Sequence, residues 1–209
     1  YRVSWSLIQE TSSVEEITHP SIRACLDYLN INDGLEIHTV GDLPARSGLG
    51  SSSSFTAAML ASLYIYKNKS YSNSEIADQT IHIEQKILKE NVGIQDQIQV
   101  CLGGFNVTTI FQDSTYSTLS LNNTSEFVRL IDQSLILVYT GISRYSSNIH
   151  SLNDKNIDKS LKQKSLDKIH SIANTFSEHL INHKADFKIF SDLMQESWEA
   201  KVSSFPDNE

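Results

Sequence analysis

The sequence is poor in the residues that punctuate or staple a chain. Only 3 of its 209 residues are proline and 8 are glycine, which removes collagen-like and low-complexity readings. Two cysteines, Cys25 and Cys101, are no disulfide framework; they fit a reducing cytosol, where such thiols pack as small hydrophobes. No apolar run approaches the ~18 residues of a membrane span, and no secretory leader pattern follows Tyr1. Positive charge is scarce: 17 Lys and Arg against 25 Asp and Glu give a net charge of −8 and a pI near 5.3. Such a chain lacks the basic face of a nucleic-acid binder. It remains compatible with a bound nucleotide, because a phosphate site needs only a local group of donors. The expectation is a cytoplasmic protein without nucleic-acid or membrane partners.

What is present is globular, at 39% hydrophobic and 20% charged residues, and long enough for one large domain or two small ones. Val3, Trp5 and Leu7 alternate, predicting a strand over 1–8. A helix follows, with Ser12 or Ser13 as its cap and Glu15 and Glu16 in its first turn; Pro20 is awkward inside it, which moves the expected start to near His19, from where Ile22, Cys25, Leu26 and Leu29 recur at helical spacing. Leu35, Ile37 and Thr39 read as a strand that runs into a loop at 41–47. Phe55–Tyr66 is apolar nearly all round and predicts a buried helix. A helix over 74–89, capped by Asn73 or Ser74, carries Ala77, Ile81 and Leu88 on one stripe, with Glu84 in its centre. A short helix spans 94–102 and stops at Gly103-Gly104. Two strands follow, 105–111 and 115–121, then an interior strand at Leu135–Tyr139. No glycine occurs after Gly141. Long helical stripes lie at 161–180 and 187–198, and the composition shift at 141–160 marks the expected domain boundary.

The segment Gly48-Leu49-Gly50-Ser51-Ser52-Ser53 stands where a strand gives way to a buried helix. Free amides of a first helical turn, with the dipole, attract an anion. Glycine lets backbone approach phosphate, and a serine hydroxyl can ligate Mg²⁺. Glycine and serine alone serve equally well as a capped helix start. There is no Walker A lysine and no dinucleotide fingerprint.

The whole string, Pro44-x-x-x-Gly48-Leu49-Gly50-Ser51-Ser52, resembles the second motif of the GHMP family of small-molecule kinases. Its surroundings are similar to one branch of that family. Asp42-Leu-Pro-Ala-Arg, Ile83-Glu-Gln, Val92-Gly-Ile-Gln-Asp-Gln, Gly103-Gly-Phe-Asn and Tyr139-Thr-Gly-Ile-Ser-Arg follow in order. Together they resemble the D-glycero-D-manno-heptose 7-phosphate kinases, which phosphorylate the anomeric hydroxyl. The resemblance implies an α+β GHMP kinase fold: an ATP-binding N-terminal lobe of mixed strands and helices over 1–150, then the mostly helical start of a second α+β lobe over 151–209. The family's N-terminal motif and its C-terminal Gly-rich motif are absent, so the chain is expected to be truncated at both ends.

Two carboxylates carry the chemistry. Glu84 on an apolar stripe needs a cation, a metal or several hydrogen bonds; an ion pair with a basic residue satisfies it as well as a metal does. The resemblance implies Mg²⁺, held by Glu84 and Ser52, with Ser51 as the alternative. Asp96 lies in the first turn of its helix, where an acid steadies the helix dipole. The string resembles Gly-x-x-Asp-Gln, which implies that Asp96 is the base or orients the acceptor hydroxyl, with space for a sugar beside Gly93. Gly48, Leu49, Gly50, Ser51, Ser52 and Ser53 are then the ATP phosphate-binding residues. Arg144 and Arg46 are candidates for a substrate phosphate through the guanidinium fork; both also suit a solvated surface. The implied reaction uses ATP, Mg²⁺ and a sugar phosphate. Its alternatives are a GHMP kinase for fucose, galactose or free heptose, and an inactive ATP- or sugar-binding protein of the same fold. His179 and His183 have i, i+4 spacing without a metalloprotease motif and read as a solvated face.

Overall fold

The computed structural model describes residues 1–41, 48–121, 126–138, 159–182 and 184–203. Three short strands open the chain: β1 (Arg2–Ser4), β2 (Ile8–Glu10) and β3 (Glu36–His38). The single strand expected over 1–8 is instead a hairpin, because Trp5 donates its amide to the carbonyl of Leu7 and turns the chain. The sheet order is β2-β1-β3. Arg2 pairs antiparallel with Glu10, and Val3 pairs parallel with Ile37. The parallel pair needs a crossover, and α1 (Pro20–Tyr28) lies within it. Val3 is completely buried and joins the sheet to the helical core.

The start of α1 follows from three adjacent residues. Pro20 occupies the first helical turn, where its missing N–H costs nothing. His19 is the N-cap and accepts a hydrogen bond at Nδ1 from the Ile22 amide, 3.4 Å away. Its ring stacks on Phe55 at 4.7 Å and meets Trp5 edge-on at 5.5 Å. One imidazole thus ties α1 to β1's turn and to the first turns of α2 (Ser51–Tyr66).

Helix α2 is the axis of the core. Ser53, Thr56, Ala57, Met59, Leu60 and Leu63 are buried on it. Ile22, Cys25 and Leu26 of α1 and Ile76 of α3 (Asn73–His82) belong to the same cluster. Burying a leucine such as Leu60 contributes about 2 kcal/mol by area alone. The cap of α3 is Ser72, one residue before the expected Asn73 or Ser74. Ser72 and Glu75 form a reciprocal capping box, with bonds of 2.7 and 3.1 Å. The helix expected over 74–89 changes character at residue 83: Ile83–Ile87 is one π-helical turn. Helix α4 (Gln95–Leu102) then ends at Gly103, whose positive φ of 63° suits a residue without Cβ.

The chain divides into two compact units, Tyr1–Gly103 with 139–150, and Gly104–Val138 with 151–209. In the second, β4 (Phe105–Ile110) and β5 (Tyr116–Leu121) make an antiparallel hairpin with Phe105 opposite Leu121. Helices α5 (Glu126–Ser134), α6 (Lys159–Ile181) and α7 (Phe187–Ser203) accompany it. Phe127 of α5 packs on Phe105, Phe176 and Phe190 at centroid distances of 5.9–6.2 Å, which draws the hairpin to the later helices. The strand expected at Leu135–Tyr139 is not formed over its described residues. Leu135–Val138 follow α5 directly, pair with no described strand and lie exposed.

Burial holds the His19 imidazole below its ordinary pKa, opposed by a backbone hydrogen bond. With the folded value depressed, the unfolded chain takes up more protons as pH falls through about 6.5, so stability present above that pH is lost on acidification. Thermal unfolding between about pH 7.5 and 5.5 should show this fall, and His19→Asn, which retains a capping oxygen, should flatten it.

Candidate active site

The loop and the two carboxylates expected from the sequence belong to three helices of the first unit. Gly48 and Gly50 both have positive φ, 78° and 68°. Gly50 is the N-cap of α2 and offers no side chain to its amides. The Ser54 amide makes the first helical bond, to the Gly50 carbonyl at 2.9 Å. The amides of Ser51, Ser52 and Ser53 precede it and take no partner among the described residues. Three N–H groups and the positive end of a 16-residue helix therefore remain for an anion. Leu49 is 44% exposed and does not anchor the loop in the core.

Asp96 stands against this turn. A Cβ on Gly50 would lie 3.6 Å from Asp96 Cβ and Cγ, and 3.3 Å from Val100 Cγ1. Residues 96 and 100 are one turn apart on α4, so a single face of α4 packs over the N-cap of α2. The structure thus joins Asp96 to the loop. The space beside Gly93, expected for a sugar, holds the Gln95 side-chain amide. Gln85 braces this loop by donating to the Val92 carbonyl at 2.9 Å and to the Gly93 carbonyl at 3.4 Å.

Glu84 is 1% exposed, as its place on the stripe implies. The π-helical turn begins at its neighbour Ile83, and an extra residue per turn moves the following side chains onto a new face. Ile83 and Glu84 are buried while Ile87 is 41% exposed. Glu84 Oε2 accepts from Ser53 Oγ at 3.0 Å and from Gln97 Nε2 at 2.5 Å. Its Oε1 is buried without a partner, and among the described residues no ion pair involves it.

Ser52, expected with Glu84 at a metal, is exposed, and Ser51 is half-buried; the serine that points inward and donates to Glu84 is Ser53. The reason is helical register. Ser53 lies seven residues before Leu60, on the buried stripe of α2, whereas Ser52 falls about 100° away. Gln97 was not expected at all. Its signal is the same: it is the polar member of the stripe Ile94, Gln97, Ile98, Cys101 and is 1% exposed. Arg46 and Arg144 lie outside the described residues, as do Pro44 and Tyr139–Arg144.

The charge on Glu84 reaches its neighbours. Burial, then Glu84, pushes the Cys25 thiol up to about 12. Burial and Glu84 also raise the Glu90 carboxyl. Burial raises the Cys101 thiol, with a Thr80 hydrogen bond opposing and Glu84 adding. Among the described residues no three His, Cys, Asp or Glu side chains converge as a metal cage, and no helix is long and apolar enough to cross a membrane.

Comparison with known proteins bears on this geometry. Residues 17–104 match the GHMP kinases N terminal domain family. The D-glycero-alpha-D-manno-heptose 7-phosphate kinase of Campylobacter jejuni is 27% identical over 182 residues, covering 86% of this chain and 52% of its own length. The bifunctional fucokinase/GDP-fucose pyrophosphorylase of Arabidopsis thaliana is 28% identical over 169 residues, covering 79% of this chain and 16% of its own. The crystal structure of a D-glycero-D-manno-heptose 1-phosphate kinase from Bacteriodes thetaiotaomicron superposes with a TM-score of 0.71 at 20% identity, over 99% of this chain and 64% of that one. The α+β fold is shared with that structure. The chain spans about half the length of the Campylobacter relative.

Gly50→Ala should lower the melting temperature, since Ala at φ 68° costs about 1 kcal/mol and its methyl would press on Val100. Gly34→Ala, with nothing within 4 Å, should leave it nearly unchanged. Alkylation of the native protein near pH 8 followed by mass spectrometry should label half-buried Cys101 before Cys25.

Proposed function

We propose that this chain, whose residues 17–104 match the GHMP kinases N terminal domain family, is a kinase of that family and transfers the γ-phosphoryl group of ATP to the anomeric hydroxyl of a heptose 7-phosphate in the cytoplasm. One observation carries the reading: Asp96 lies against Gly50, at the amide-rich start of α2. An acid that can take a hydroxyl proton then stands beside a place built for phosphate.

The roles follow from the geometry. The amides of Ser51–Ser53, with the backbone of Gly48, Leu49 and Gly50, receive the ATP phosphates, and exposed Ser52 adds a hydroxyl there. The hydroxyl oxygen of the sugar bonds to the γ-phosphorus as the bond to the bridging oxygen of ADP breaks. Asp96 accepts the departing proton, or aims the hydroxyl before it leaves. Positioning and charge neutralisation supply most of the acceleration in such transfers. Residues 1–150 act as the ATP lobe and 151–209 begin its companion.

Mg²⁺ fits the donor set. Glu84 is a buried carboxylate with one unpartnered oxygen and no countercharge in its described surroundings. Glu84 would hold the ion together with a loop serine, either Ser52, as the sequence implies, or Ser53, which already donates to it. One carboxylate and a hydroxyl suit a cation that keeps water and substrate phosphate as its other ligands. When bound, the ion neutralises charge that develops on the phosphates.

The heptose phosphate as acceptor is supported by the ordered strings around the loop and by the coverage of the Campylobacter relative. Arg46 and Arg144 are proposed to meet the 7-phosphate. An ATP-consumption assay on the full-length protein, with a panel of sugars and sugar 7-phosphates, tests the assignment. Turnover confined to a heptose 7-phosphate is expected. Turnover on fucose, galactose or free heptose would keep the kinase and replace the substrate, and ATP binding without turnover would favour a binding protein. Asp96→Asn should lower kcat about 10²- to 10⁴-fold while ATP affinity stays within about threefold. Unchanged turnover would remove Asp96 from this role.

A further inference from the structure

We propose that Gln97 is a positioning residue that presents Glu84 Oε1 to the metal and fixes α4 so that Asp96 meets the phosphate loop. The inference rests on the kinase reading above.

Three helical segments each place one polar side chain where a hydrophobe would ordinarily pack: Ser53 on α2, Glu84 on the π-helical turn and Gln97 on α4. All are at most 4% exposed. Ser53 and Gln97 both donate to Glu84 Oε2, at 3.0 and 2.5 Å. Nothing among the described residues reaches Oε1. The carboxylate is therefore gripped by one oxygen, and rotating it would forfeit both bonds. The oxygen left over is held in one direction, as a metal ligand requires.

Gln97 also follows Asp96 directly. Adjacent helical residues diverge by about 100°, so one side chain of the pair points inward while the other reaches the surface. Asp96 is exposed and abuts the N-cap of α2. Anchoring Gln97 on Glu84 sets the rotation of α4 about its axis and so the place of Asp96. One amide thus links the carboxylate proposed for the metal to the carboxylate proposed for the proton.

Packing alone does not explain this amide. Gln97 Oε1 is buried with no partner among the described residues, and an apolar residue of that size would avoid burying a polar amide.

The test uses full-length protein and Gln97→Met, which keeps the length and removes the donor. Calorimetry with ATP at varied Mg²⁺, without sugar, should show the Mg²⁺ midpoint for ATP binding rising about 10- to 100-fold, and kcat should fall by a similar factor. KM for ATP at saturating Mg²⁺ should stay within about twofold, whatever the loss of the Gln97–Glu84 bond costs in melting temperature. A merely structural role predicts a lower melting temperature with an unmoved Mg²⁺ midpoint, and that result overturns the proposal. So does a midpoint and kcat within about twofold of the parent. If Gln97→Met does not fold, Gln97→Asn, one methylene short of Glu84, decides by the same criteria. A parent protein without Mg²⁺-dependent ATP binding overturns the kinase reading and the inference together. Normal binding and turnover in the parent, matched by the variant, overturn the inference alone.

Discussion

A buried carboxylate with no cation beside it among the described residues is the constraint around which the first unit is arranged. Taking Glu84 out of water is costly, and two hydrogen bonds on one oxygen offset only part of that cost. The surrounding helices are placed to make those two bonds. Ser53 must face inward, which fixes the register of α2 and leaves its first amides at the loop. Gln97 must reach Glu84, which fixes α4 and brings Asp96 to Gly50. The neighbours share the consequence: burial first, and the Glu84 carboxylate after it, make two thiols and a second carboxyl, that of Glu90, hold their protons more tightly. What a core would reject is kept because it organises the surface next to it.

Much of this could be read from the residues, and the limits have physical causes. The loop was legible because Gly48 and Gly50 need conformations that other residues avoid. Glu84 was legible because a charge on an apolar stripe is conspicuous. Which serine hydrogen-bonds Glu84 was less legible, because choosing among Ser51, Ser52 and Ser53 requires the helix phase, and the phase depends on which glycine caps; counting back a heptad from Leu60 points to Ser53. Gln97 escaped because an uncharged amide disturbs a stripe less visibly than a carboxylate does. The π-helical turn at Ile83–Ile87 breaks the 3.6-residue period on which stripe reading depends.

Elsewhere the same kind of reasoning met tertiary effects. Alternation over Val3, Trp5 and Leu7 is real, yet a turn at Trp5–Leu7 converts one strand into a hairpin. An apolar run at Leu135–Val138 is strand-like in composition, and a strand also requires a neighbour to pair with. The grouping of the hairpin 105–121 with the later helices depends on one aromatic side chain, Phe127, and its three ring contacts. None of these is a property of a local window of sequence.

The missing Cβ of Gly50 has a further consequence. Val100 and Asp96 close to 3.3 and 3.6 Å of the point where that atom would sit, so a side chain at position 50 would press on α4 and limit its approach to the loop. Such a limit is a mechanical stop. Salt, pH and modest warming weaken attractions between charges and dipoles, but they barely change the radius of an atom. The nearness of the Asp96 side chain to the anion-binding amides thereby depends on a steric allowance at position 50, which solution conditions do not adjust.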